Sequence, residues 1–285
     1  RLTSYHGPKA IEGIWIDPSK QPRHVWKVDL LANLQERWIY YIDVESGNVL
    51  FSFNNTKNDT PTTVYGFDEQ GIFRQLNGLM RGGVYYLVDV TKPMYSSAKT
   101  EEQGSEYGAI IPLKDWYYYI SGSDNFLESP GVSLHYNMGM VYDYFYDTFG
   151  LVQFLSNDAS GGSMIGFNKT GLQGGAYWNG MFAVFGDGDG LLFSPIAGSL
   201  DAVAHEFTHG FTEARAGFQY LNQSGAISES YSDFFACMVD RDDWLIGEDV
   251  FTPSIPGDAL RNMADPHNNS VKGSPIWQPA HMSEY

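Results

Sequence analysis

Apolar and polar positions alternate over His24–Leu30 (HVWKVDL) and Trp38–Val44 (WIYYIDV), and Gly47-Asn48 separates the second run from Val49-Leu50-Phe51. Alternation with a period of two marks strands, and the Gly-Asn pair between two such runs marks a hairpin. Residues 54–63 (NNTKNDTPTT) are polar and rich in turn formers, which predicts a linker. A second strand-rich stretch then runs to about residue 120, with tyrosine-heavy runs such as Val84-Tyr85-Tyr86-Leu87-Val88. From Ser133 to Phe149 the period changes: Leu134, Met138, Val141, Tyr142, Phe145 and Phe149 recur at helical spacing. Gly174–Gly190, glycine-rich with interleaved aromatics, predicts a strand hairpin. Ser199–Ala216 and Ala226–Asp240 read as amphipathic helices, with Ser199 placed to cap the first and Ser224-Gly225 preceding the second. After Asp243 the chain is loop-like, and no internal repeat is present. Strands followed by helices predict an α+β protein.

Composition narrows the function classes. The 285 residues carry 34 acidic and 17 basic side chains, a formal net charge of −17. Such a field repels nucleic acid and anionic membranes and suits a protein that binds cations, although solubility alone explains most of the excess. The single cysteine, Cys237, excludes an internal disulfide framework and a cysteine-based zinc site. It lies in the apolar run Phe234–Met238 and is expected to be a buried structural thiol. No apolar stretch reaches the roughly 20 residues needed to span a bilayer. The chain opens at Arg1 without a start methionine or signal peptide, so it is expected to begin in mid-protein.

The chemistry concentrates in Asp201-Ala-Val-Ala-His205-Glu206-Phe-Thr-His209-Gly210. On a helix, positions four apart lie one above the other, so His205 and His209 aim at one point, as two ligands of a tetrahedral zinc must. Glu206, one step round, falls beside the metal where a water would sit. An H-E-x-x-H string arises by chance in about one such chain in a hundred, so a helix with two surface histidines is its bland alternative. Glu229 weakens that alternative. It follows His209 by 20 positions, and a turn at Gly217 into a second antiparallel helix would return it over the histidine pair. Two imidazoles and one carboxylate leave a fourth position open, which marks a catalytic zinc site. Asp233, one turn beyond Glu229, is placed to accept the outer N–H of a ligand histidine rather than to be a solvated helix aspartate.

These residues, together with Ala176-Tyr-Trp-Asn-Gly180, Phe185–Gly190, Leu134–Phe145, Ile246–Pro253 and Asp258–Pro266, resemble the thermolysin family of zinc metalloendopeptidases. The resemblance covers roughly Thr60 to Tyr285. It implies a strand-rich lobe at residues 59–218 that includes the H-E-x-x-H helix, and the start of a helical domain at 219–285. Trp38–Leu50 is similar to the last hairpin of the family's propeptide, which assists folding and inhibits until cleaved. Residues 1–58 are therefore expected to be a propeptide-like β segment, against the plainer reading of a small appended β-domain.

The resemblance further implies a secreted enzyme that cleaves internal peptide bonds, commonly before a bulky apolar residue. Zinc would lower the pKa of its water towards about 7 and polarise the carbonyl, with Glu206 as general base. Tyr220 matches the tyrosine that supports the oxyanion, with a packed core tyrosine as the alternative. Arg261 matches the arginine that holds a substrate carbonyl, and Ala176 an edge-strand position that pairs with substrate backbone. Asp201, Asp240, Asp243 and Glu248 fall where the family gathers calcium ligands. The short Asp240–Asp243 spacing, and Leu245 at a place acidic in thermolysin, favour one calcium over two. Gly186–Gly190 is a turn rather than an EF-hand, since Gly198 stands where that loop needs its last carboxylate.

Ser228 replaces an asparagine usual before the ligand glutamate, and Gly175 replaces a substrate-binding asparagine. The family's later aspartate-x-glycine-glycine-valine-histidine segment does not occur before Tyr285, and His281 in Pro-Ala-His-Met reads as a loop histidine. The chain is thus expected to be the N-terminal part of such an enzyme, with little activity alone. A non-catalytic zinc scaffold is disfavoured because Glu206 is kept. A zinc aminopeptidase is disfavoured because no element for a free amino terminus is seen.

Overall fold

The computed structural model describes residues 9–31, 37–54, 60–92, 94–100, 118–150, 164–169 and 171–284, and it divides into two compact units, Arg1–Thr60 and Pro61–Tyr285. The first is an antiparallel sheet of β1 (Lys9–Ile16), β2 (Pro22–Leu31), β3 (Arg37–Asp43) and β4 (Val49–Asn54), in that order. β2, β3 and β4 coincide with the alternating runs. β1 was not predicted: its apolar residues Ile11, Ile14 and Ile16 fall on both faces of the strand and stand exposed, so they show no clean alternation. Tight turns hold the register. Asp17 accepts the N–H groups of Ser19 and Gln21, and Asp43 accepts from Ser46 before Gly47, whose φ of 70° favours glycine. Trp15 stacks on Tyr41 at 4.6 Å and on Phe51 at 5.6 Å.

The second unit opens with β5 (Thr60–Phe67), so residues 60–63 of the expected linker are strand. Thr60, Thr62 and Thr63 are β-branched and join the apolar run Val64-Tyr65 in one ladder. Residues 55–59 of that linker, and 101–117 of the expected strand-rich stretch, lie outside the described residues. β6 (Phe73–Arg81), β7 (Val84–Tyr86), β8 (Val88–Asp89), β9 (Met94–Thr100), β10 (Ile120–Ser121) and β11 (Asn125–Phe126) follow. One sheet has the order β10-β7-β6-β5-β11. Gly66 on β5 lies where an added Cβ would come within 2.6 Å of Val132 Cγ2 and 2.8 Å of the Phe126 carbonyl.

Helix α1 (Ser129–Phe149) begins four residues before the expected start, because Pro130 is well placed in a first turn, and ends at left-handed Gly150. The second sheet contains β12 (Met164–Lys169), β13 (Ala176–Trp178) and β14 (Ala183–Gly186) in the order β13-β14-β12-β9-β8. Among the described residues β13 is thus an edge strand, paired on one side only, with Ala176 opposite Phe185.

Helix α2 (Leu200–Ala216) starts as predicted, since Ser199 accepts the Ala202 N–H, and Gly217 closes it at φ 64°. Helix α3 (Asn222–Asp240) begins four residues before the expected position. Its N-cap is Leu221, with no side-chain cap, and Gly225 is buried inside the helix. The Ser-Gly signal was therefore misleading: the helix starts upstream of it at an exposed turn with no side-chain cap. Phe145 of α1 meets Phe211 of α2 at 4.9 Å and Phe235 of α3 at 5.6 Å, so the three helices share one core. Val203, Ala204 and Phe207 bury the other stripe of α2 in it, and burying a ring such as Phe207 contributes about 2–3 kcal/mol. That packing fixes the rotation of α2 and turns its histidine face to the cleft. Two short strands, β15 (Leu245–Ile246) and β16 (Arg261–Asn262), pair within the loop-rich end. Among the described residues no helix is long and apolar enough to cross a membrane.

Candidate metal centre

His205 and His209 lie one turn apart on α2, and Glu229 on α3 faces them. His205 Nε2 and His209 Nε2 are 3.1 Å apart, and the Glu229 carboxylate lies 3.2 Å from the first and 3.3 Å from the second. Three donors each about 2 Å from one tetrahedral ion would be about 3.3 Å apart, so the residues fit zinc. Burial works against the charge on His205, yet its hydrogen bonds to Asp233 and Glu229 outweigh this and raise its pKa to about 10. His209 is driven down to about 4 by burial and by the neighbouring His205 charge. Burial pushes the Glu229 carboxyl up, but the His205 contact prevails and holds it at about 2.

Asp233 accepts from His205 Nδ1 at 2.7 Å and takes two further bonds of 2.7 Å from Arg261 Nη2 and Nε. Arg261, expected to hold a substrate carbonyl, thus grips Asp233 while also lining the cleft. His209 Nδ1 faces two hydroxyls, Ser228 Oγ at 3.1 Å and Ser232 Oγ at 3.3 Å. Ser232 was not anticipated, although its position one turn beyond Ser228 on the same face was the available signal.

Glu206 is buried at 7% exposure beside the ligands, and burial raises its carboxyl to about 7. Tyr220 donates its hydroxyl to Glu229 Oε1 and stands edge-on to His209, with its ring centroid 5.8 Å away. At 72% exposure it is not a core tyrosine. A cleft of about 1260 Å³ joins His205, Glu206, His209, Tyr220, Glu229 and Arg261 to Ala176 on the β13 edge. Phe193, Ile196, Ala202, Val250 and Leu260 supply apolar wall. Gly175 lies in the same wall, next to Gly174, against which the Phe193 ring packs where a Cβ would stand.

A second acidic group lies beyond the zinc helices. Carboxylate oxygens of Asp240, Glu248 and Asp249 gather within 4.8 Å of one another. Burial first, then repulsion from neighbouring carboxylates led by Asp242 and Asp243, raises Asp240 to about 6, Glu248 to about 7, and Asp249 upwards. Glu248 Oε2 is buried with no hydrogen-bond partner, the signature of an oxygen that fits a cation. Asp201 is buried nearby, its carboxyl raised by burial and by Glu248, and accepts from Ser199, Ala202 N and Gly247 N. The Asp243 carboxylate caps the Leu245 N–H at 2.6 Å, outside the group. Asp249, which sequence reading missed, simply follows Glu248 in the chain. Cys237 is buried as expected. His281 bonds Ser283 in a terminal turn, away from the centre.

Two imidazoles and a carboxylate converging beside a buried acid, at the base of a cleft with an open sheet edge, define the metallopeptidase class of site. The chain belongs to the thermolysin metallopeptidase family. Its catalytic-domain description matches residues 63–213, and its alpha-helical domain matches residues 216–285. The chain is 39% identical over 243 residues to neutral protease B of Bacillus subtilis (strain 168), covering 84% of this chain and 44% of that protein. It is 33% identical over 278 residues to the extracellular elastase of Staphylococcus epidermidis, covering 95% and 52%. The chain thus spans about half the length of these relatives. A solved structure, the precursor of protealysin, a metalloproteinase from Serratia proteamaculans, aligns with TM-score 0.51 and 27% identity over 81% of this chain and 64% of that one.

Proposed function

We propose that this protein is a secreted, zinc-dependent neutral endopeptidase that hydrolyses internal peptide bonds. The observation that carries the reading is the convergence of His205 Nε2, His209 Nε2 and the two Glu229 carboxylate oxygens, with contacts of 3.1–3.3 Å, beside buried Glu206 in one cleft. Zinc, when bound there, supplies Lewis acidity towards the scissile carbonyl. The chain's own residues do the rest. The open edge of β13 at Ala176 pairs with substrate backbone by strand addition. The apolar wall of Phe193, Ala202, Val250 and Leu260 receives a bulky apolar side chain after the scissile bond. Glu206 takes the proton of the attacking water and returns it to the leaving amine, and Tyr220 steadies the developing oxyanion. Arg261, held by Asp233, orients the substrate carbonyl.

One structural calcium is proposed at Asp201, Asp240 and Glu248 with Asp249, and Asp243 serves by bracing the adjacent turn; the orphaned Glu248 oxygen supports this. Residues 1–58 are proposed as a propeptide and intramolecular inhibitor, 59–218 as the β-rich catalytic lobe and 219–285 as the start of the helical domain. That the similar solved structure is a precursor of protealysin supports the propeptide, and that the similar elastase is extracellular supports the secretion. The charge of −17 supports protein or peptide substrates rather than nucleic acid. Residues 1–285 alone are proposed to turn over little substrate, because the exposed Ile227, Tyr231 and Phe234 leave the outer face of α3 in water.

The test is Glu206→Gln in the complete protein. It should keep zinc and lose about 10²–10⁴-fold in hydrolysis of a quenched internal-bond peptide. Glu229→Ala should lose the zinc itself. Undiminished turnover by Glu206→Gln, or stoichiometric zinc in Glu229→Ala, would overturn the assignment.

A further inference from the structure

The two ligand histidines are buttressed by different chemistry. His205 Nδ1 faces a carboxylate, which only accepts, so its tautomer is settled. His209 Nδ1 faces hydroxyls, which donate or accept, and a donating hydroxyl there would put the ring proton on Nε2 and block the metal face.

The local bonds decide which way the protons run. Thr212 Oγ1 donates to the His209 carbonyl at 3.1 Å, and a carbonyl only accepts, so the Thr212 proton is committed there. The contact between Ser228 Oγ and Thr212 Oγ1, at 3.4 Å, must then be donated by Ser228. A serine has one proton. With it directed at Thr212, Ser228 presents a lone pair to His209 Nδ1 at 3.1 Å and accepts from it. The chain of bonds therefore leaves His209 at its ring, passes through two hydroxyls, and returns to His209 at its carbonyl. His209 Nε2 is left bare, and it points at His205 Nε2 and Glu229.

We infer that Ser228 is a positioning residue, and that the Ser228–Thr212 hydroxyl relay locks His209 in the Nδ1–H tautomer that a metal ligand needs. The inference rests on the zinc reading for its purpose, not for its geometry. Ser228 and Thr212 lie in the cleft wall but are only 5% and 3% exposed, so little water reaches their hydroxyls to compete for the hydrogen bonds. The relay also accounts for the serine where an asparagine is usual. An amide oxygen accepts by constitution, whereas a serine must be oriented, and Thr212 orients it.

The experiment reads the tautomer and the metal separately in the complete protein. Ring ¹⁵N shifts of the zinc-free protein are expected to show His209 protonated at Nδ1, and Thr212→Val and Ser228→Ala each to raise the Nε2–H fraction. Chelator competition should show zinc bound about 10-fold more weakly by Ser228→Ala, the lower end of losses for outer-shell partners, because Ser232 remains at 3.3 Å. Ser228→Asn, which restores a fixed acceptor, should recover both. Wild-type His209 protonated at Nε2, unchanged zinc affinity in Ser228→Ala, or a loss that Ser228→Asn does not rescue would each overturn the relay. Failure of the unsubstituted protein to bind zinc would instead overturn the zinc reading, while the shifts still decide the relay.

Discussion

Asp233→Asn changes one charge and almost no volume, yet three bonds of 2.7 Å converge on that carboxylate from His205 and Arg261. An amide must turn its NH₂ towards one of these donors, so at least one bond becomes donor against donor. Burial would raise the Asp233 carboxyl, but the His205 and Arg261 contacts hold it at about 2. Relative to an ordinary 3.8 this corresponds to about 2 kcal/mol of stability. Because the folded value is depressed, that contribution is present above about pH 4 and lost as pH falls towards 2. Leaving the largely buried Arg261 unpaired adds to the cost, and breaking a buried pair takes about 3–5 kcal/mol in all. The variant is expected to lose about 3 kcal/mol at pH 7 in urea unfolding. It should also bind zinc about 10–100-fold more weakly by chelator competition. The double variant Asp233→Leu/Arg261→Met removes both charges and should recover most of the stability but none of the zinc affinity. An Asp233→Asn protein with unchanged unfolding midpoint and unchanged zinc affinity would refute the reasoning.

Calcium should raise the thermal midpoint by several degrees by relieving repulsion among Asp240, Glu248 and Asp249, and Glu248→Gln should abolish the rise in a thermal-shift assay. His135 is buried in α1, its Nε2–H donating to the Asn77 carbonyl at 2.7 Å, and burial lowers its pKa to about 4. The unfolded chain therefore takes up this proton first, and stability should fall as pH drops from about 6.5 to 4, by up to about 3 kcal/mol. His135→Gln should flatten that part of the urea-midpoint profile. Gly66→Ala drives a methyl into Val132 and the Phe126 carbonyl and should cost about 1–3 kcal/mol, visible as a lowered thermal midpoint without loss of zinc.

The zinc helices were the most legible part of the chain because their signals agree. Ser199 caps α2, Gly217 ends it, and the i, i+4 histidines sit on one stripe while Val203 and Phe207 occupy another. α3 was displaced by four residues because nothing at Leu221 or Asn222 signals a start: Leu221 offers no side-chain cap and is exposed. The strand β1 was invisible since its isoleucines are exposed and follow no two-residue alternation of burial. Among functional residues, Asp233 was legible from its spacing to Glu229. Arg261 was named for substrate, whereas its bidentate hold on Asp233 joins residues 28 apart in sequence and has no local signature. Ser232 and Thr212 matter only through atoms that meet across two helices, which no one-dimensional pattern expresses.

The lone thiol turns α3 into its own stopwatch. Cys237 lies one turn past Asp233, 2% exposed, and burial first, then Asp201, pushes its pKa up to about 12. At neutral pH the reactive thiolate is then roughly one molecule in a hundred thousand, so a soluble alkylating reagent can mark the folded protein only when α3 opens. Because no other cysteine competes, the labelling rate of the unaltered protein reports that opening alone. An ion gripped by His205 and His209 on one helix and Glu229 on the other clamps the pair, and the rate at which the thiol disappears becomes a reagent-bottle gauge of metal occupancy.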